Sequence, residues 1–159
     1  MEALGAAASI AGVLSLAGQT VDGILKLQNF FKDVSSASRT IERFLHDISL
    51  LIKTIEDVRS LLSCASDALG TDLKIVALEI QLQDCSKDVY EWLRLAKDHH
   101  PGLSTGTKAG FKKFWVAANK AGVSGLEQEI RRHRHSLVAS LSVLGRYVDS
   151  LLHNIYVLN

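Results

Sequence analysis

Proline occurs once in the 159-residue chain, at Pro101, and cysteine twice, at Cys64 and Cys85. Sheet proteins carry more turn punctuation and a period-two alternation, and no sustained alternation is present, so an all-helical fold is expected. Two cysteines cannot build a disulfide framework. Both fall within apolar helical patterns and read as small core residues in a reducing compartment. Charge is missing from Ala3 to Val21, 19 consecutive residues rich in Ala, Gly and Ser. No Lys or Arg precedes Lys26, so this opening lacks the positive start of a secretory signal. Residue 2 is Glu rather than Gly, which excludes N-myristoylation.

The motifs of chemistry are also missing. GLSTGTK (102–108) lacks the GxxxxGK[ST] spacing, and no strand pattern precedes it. No serine sits in a GxSxG elbow. The histidine pairs His99–His100 and His133-x-His135 lack the i, i+4 spacing of a helical metal motif. An enzyme is not expected, nor a metal or cofactor. His133 falls on an apolar seam, where one satisfied polar residue can fix register.

What is present is helical periodicity. In the opening, the small or polar residues Gly5, Ser9, Gly12, Ser15, Gln19, Asp22, Lys26, Asn29 and Asp33 recur at steps of three and four. They form one stripe along a helix from about Ala3 to Lys32. The rest of that helix is apolar, which suits a bundle interior or a membrane. A second helix is expected over about Ser36–Ala65, with Ser35 or Ser36 as N-cap and Glu42, Arg43, Asp47, Glu56, Asp57 and Arg59 facing solvent. A third is expected over Asp72–His99, on the seam Ile75, Leu78, Leu82, Cys85, Val89, Trp92 and Ala96. HHPG (99–102) stops it. A short helix is expected over Lys108–Lys120, broken by Gly122 or Gly125. The last runs from Leu126 past Tyr156 on the seam Leu126, Ile130, His133, Leu137, Leu141, Leu144, Val148, Leu151, Ile155 and Leu158. The expectation is one all-α domain, an elongated up-and-down bundle of four long helices plus one short helix. The apolar pattern still runs at Asn159, so the chain reads as a domain excised from a longer one.

Net charge is only +1, but it is unevenly placed. Residues 1–98 carry ten basic and fourteen acidic residues. Residues 108–135 carry Lys108, Lys112, Lys113, Lys120, Arg131, Arg132 and Arg134 against Glu127 and Glu129. In KAGFKKFWVAANK, the lysines alternate with Phe111, Phe114 and Trp115. Basic plus aromatic residues suit an anionic lipid surface or nucleic acid; the plain alternative is a short amphipathic helix with its rings on the bundle.

The residues Met1, Glu2, Leu4, Ala7, Ala8, Ser9, Ile10, Gly12, Val13 and Leu14 resemble the opening of the fungal HeLo-like domains attached to STAND receptors and ankyrin-repeat proteins. SRTIERFLHDISLLIKTIEDVRSLL (38–62) is similar to the second helix of that group, and FKKFWVAANKAGVSGLEQEIRRHRHSL (111–137) to its basic, Trp-containing turn into the last helix. The resemblance implies a helical bundle that executes or controls regulated cell death. It also implies relatedness to HeLo domains and to the bundle of the mixed-lineage kinase domain-like protein. It further implies a cytoplasmic domain that oligomerises, relocates to the plasma membrane and inserts its first helix, with a receptor or amyloid-signalling region lying C-terminal. On that reading Leu4, Ile10, Val13, Leu14, Leu16 and Val21 form the inserting face, and Gly5, Ser9, Gly12 and Ser15 a close-packing stripe. Lys108, Lys112, Lys113, Trp115, Lys120, Arg131, Arg132 and Arg134 form the anionic-lipid patch. The partners expected are anionic lipid and further copies of the chain, not nucleic acid. The alternative is a non-lytic interaction or oligomerisation module whose first helix never leaves the core.

Overall fold

A computed structural model describes residues 2–34, 39–65, 73–99 and 123–157. All of them are helical. Helix α1 spans Glu2–Val34, α2 Arg39–Ala65, α3 Leu73–His99 and α4 Val123–Val157. The expected helix over Lys108–Lys120 and the N-caps Ser35 and Ser36 lie outside the described residues. At about 1.5 Å per residue, the 33 residues of α1 run about 50 Å.

Each helix buries a seam at alternating steps of three and four. On α2 it is Ile41, Phe44, Ile48, Leu51, Ile55, Val58 and Leu62; on α3 it is the expected set from Ile75 to Ala96. Steps averaging 3.5 residues keep a seam facing its neighbours only when helices lie nearly parallel or antiparallel. Cross-helix contacts give the directions. Phe31 meets Phe44, and Gln28 meets Ser49, so α1 and α2 are antiparallel. His133 meets Asp88, and Ser140 meets Gln81, so α3 and α4 are antiparallel too. Gln19 meets Tyr90 while Lys26 and Phe30 share a groove with Leu93 and Lys97, which makes α1 and α3 parallel. Round the bundle the order is α1, α2, α4, α3, with α2 and α3 on opposite corners.

One boundary differs from expectation. The last helix starts at Val123 rather than at about Leu126, so Gly125, expected as a break before it, lies inside the first turn of α4, buried. A second difference concerns Asp47, expected on the solvent face of α2. Its side chain is 9% exposed, because Arg131 of α4 reaches over it.

Candidate functional site

Helix α1 combines seating in the bundle core with a long apolar composition. Its stretch Ile10–Lys32, 23 residues, is long and apolar enough by length and composition to cross a membrane, and 44% of the 18-residue apolar window within it is buried in the bundle. Ile10, Val13 and Val21 are buried, and Leu14 and Leu16 are packed against the core at its edge. Leu4, Gly5 and Ser9 lie within α1, but their side chains are outside the described set. Gly12, Ser15, Gln19, Asp22, Lys26 and Asn29 are all exposed, so the expected stripe is the solvent edge of the helix. A Cβ built on Gly12 or on Gly18 meets nothing within 4 Å, so the stripe is not a close-packing surface within the single bundle.

The close approach of α1 lies elsewhere, at Gly23. There a Cβ would come within 3.0 Å of Val89 Cγ1, with Tyr90 and Leu93 just beyond. Few polar ties hold α1. Gln28 Nε2 donates to Ser49 Oγ at 3.0 Å, and the Tyr90 hydroxyl donates to the Gln19 carbonyl at 3.4 Å. Thr20 turns its hydroxyl back to the Leu16 carbonyl at 2.8 Å, satisfying itself within its own helix. The ion pair on α1, Lys26–Asp22 at 2.6 Å, is also internal. The Asp22 carboxylate, bonding to the Lys26 ammonium, holds that amine above its usual range.

The basic run on α4 makes ion pairs with neighbouring carboxylates. Arg131 Nε donates to Asp47 Oδ2 of α2 at 2.8 Å. Arg132 sits 2.6 Å from Glu129 and 3.6 Å from Asp88 of α3. His133 is buried, as its seam position implied, with Nε2 2.8 Å from Asp88 Oδ2 and its ring against Trp92. An ionised carboxylate only accepts, so the proton of this bond sits on Nε2. Three consecutive residues thus tie α4 to α2 on one side and to α3 on the other. Asp88, Glu129 and His133 bring three ligand-type atoms within 4.8 Å of one another. The Arg132 guanidinium already supplies the positive charge at both carboxylates, which makes the group an ion-pair network. Arg134 is half-buried and has no carboxylate partner among the described residues. Lys108, Lys112, Lys113, Trp115 and Lys120 lie outside them.

Sequence reasoning missed Asp47 and Asp88 as the seats of this clamp. Both flank a seam, Asp47 beside Ile48 and Asp88 beside Val89, and a carboxylate one step from an apolar seam is the signal that points to a cross-helix cation. It also missed a groove between α1 and α3, floored by Phe30, Tyr90 and Leu93 and rimmed by Lys26, Arg94 and Lys97.

The two thiols differ in environment. Cys64 is exposed, whereas Cys85 is buried beside Val89 on the α3 seam. Burial, with the charge of Asp88 adding to it, pushes the Cys85 thiol up to about 12. Since the thiolate is the reactive form, a disulfide-exchange reagent at mildly alkaline pH will titrate Cys64 in the native protein. Cys85 will react only on unfolding, with the two steps read by absorbance. A folded-state value raised in this way stabilises the fold fully below the unfolded thiol range, about 8.5. That contribution is lost as pH rises from there toward 12.

No protein-family model, curated protein or solved structure matches this chain.

Proposed function

We propose that this chain is a membrane-targeting effector domain of regulated cell death, related to the HeLo-like group. Helix α1 is packed in the resting bundle and enters a membrane once copies assemble. The observation that carries the reading is the double character of α1: its apolar residues are seated in the core, yet its length and composition suit a bilayer. Its polar stripe supports the same reading. In water it is the solvent edge of the helix; in an oligomer, Gly5, Ser9, Gly12 and Ser15 would let copies of α1 approach closely. The basic segment, including a short helix over Lys108–Lys120, docks on anionic lipid from the cytoplasmic side. Arg131 and Arg132 join it only where their carboxylate partners release them. No catalytic step is assigned.

The test exploits the open space beside the stripe. Gly18→Lys adds a charge where the resting bundle has room for it, but near the middle of the stretch that would span the bilayer, where lysine is strongly disfavoured. Dye release from phosphatidylserine–phosphatidylcholine vesicles is expected from the parent and lost in Gly18→Lys, while far-UV circular dichroism of the two proteins stays the same. Equal release from both would remove α1 from the mechanism. No release from a well-folded parent would favour the second reading, an interaction module whose α1 stays seated. The buried positions Ile10, Val13 and Val21 favour that alternative as much as the first.

A further inference from the structure

The groove between α1 and α3 is a cavity of about 550 Å³ that neither the membrane reading nor the α4 clamp uses. Its size falls within the about 300–1,000 Å³ of small-molecule sites. The floor is apolar, made by Phe30 of α1 and by Tyr90 and Leu93 of α3. Tyr90 forms one end of the groove, its ring beside Gly23 and its hydroxyl on the Gln19 carbonyl. Cations stand along the rim: Lys26 from α1, Arg94 and Lys97 from α3. Two of these are already engaged. Lys26 bonds Asp22, and Arg94 bonds both Glu91 and Asp98 at 2.6 and 2.8 Å. Lys97 is exposed and has no carboxylate partner among the described residues. An apolar trough ending at one unengaged ammonium matches a single apolar chain with one anionic head.

We infer that this groove binds a medium-chain fatty acid, its hydrocarbon lying along Tyr90 and Leu93 and its carboxylate on Lys97. The bound chain touches α1 and α3 together. It therefore stabilises the packed arrangement in proportion to its occupancy, since a ligand that binds only the folded state shifts the unfolding equilibrium toward it. Binding itself does not depend on whether α1 ever enters a membrane. If the proposed function holds, the same ligand opposes release of α1.

The probe is dodecanoate below its micellar concentration, followed by isothermal titration and by the thermal unfolding midpoint. One saturable site and a raised midpoint are expected. Affinity should fall about fourfold for each methylene removed on going to decanoate and octanoate, the factor for a buried CH₂. Acetate, the head alone, should not bind, and dodecyl maltoside, the same tail with a neutral head, should bind at least tenfold more weakly. Lys97→Glu, at an exposed position, should lose at least tenfold. Asn29→Trp, which fills the groove from the solvent edge of α1, should abolish binding with the circular dichroism spectrum unchanged. Unsaturable uptake with a lowered midpoint, equal affinity for dodecyl maltoside, or full affinity in both variants would each overturn the inference. None of these readouts uses vesicles, so failure here and failure of the permeabilisation test are separate results.

Discussion

Phe31→Ala lowers the stability of the bundle by about 3–5 kcal/mol, the range for removing a fully buried phenylalanine ring. Phe31 is completely buried. Its ring stands edge-on to Phe44 with centroids 4.6 Å apart and edge-on to Phe30 at 5.3 Å. Such pairs add about 0.5–1.5 kcal/mol beyond the area they bury. Truncation therefore removes apolar contact, the ring–ring contacts to Phe30 and Phe44 and the wedge that joins α1 to α2 at one end of the bundle. A loss of this size is a large part of the 5–15 kcal/mol total typical of a domain. Chemical denaturation followed by circular dichroism reads it as a lowered midpoint with an unchanged slope. Phe31→Leu, which keeps most of the volume, should cost less than half as much. Equal costs for the two variants would show that packing around Phe31 collapses onto any smaller side chain.

Gly23→Leu is expected to be nearly as damaging, at about 3 kcal/mol, the upper part of the overpacking range. A Cβ at this position already reaches 3.0 Å from Val89 Cγ1. Val89 cannot yield, because it is fully buried and a β-branched residue in a helix has one strongly preferred rotamer. The added side chain must push α1 away from α3 along the line where the two run side by side. The control is Gly12→Ala, where the new methyl meets nothing. There helix propensity acts alone and stabilises by about 0.5–1 kcal/mol. Opposite signs at two glycines of one helix separate interhelical contact from intrinsic propensity. If α1 is the inserting element, Gly23→Leu should also permeabilise vesicles at lower protein concentration than the parent.

The seams were legible because their cause is local. A residue such as Leu82 or Cys85 is buried by its place in a 3.6-residue repeat, and the repeat is written in the chain. The same holds for the exposed edge from Gly12 to Asn29. His133 was legible as a polar residue on a seam, but its partner was not, since Asp88 lies 45 positions away. The order of helices around the bundle was hidden for the same reason: periodicity states which face is buried and is silent about which helix covers it. Asp47 was not legible as buried because a lone carboxylate reads as solvent-facing until Arg131 is brought over it from α4. The groove is not legible in the sequence because Lys26, Arg94 and Lys97 read singly as solvated surface.

The cross-helix ion pairs among the described residues all involve α4, whereas α1 keeps its own pair to itself. Dissolved salt screens the half-exposed Arg132–Asp88 pair, reaches the Arg131 contact on the buried Asp47 carboxylate much less, and leaves apolar burial intact or strengthens it. Ionic strength therefore acts on the tie between α4 and α3 at Arg132, while α1, whose ion pair is internal and whose hold on the bundle is chiefly apolar, is left as it was.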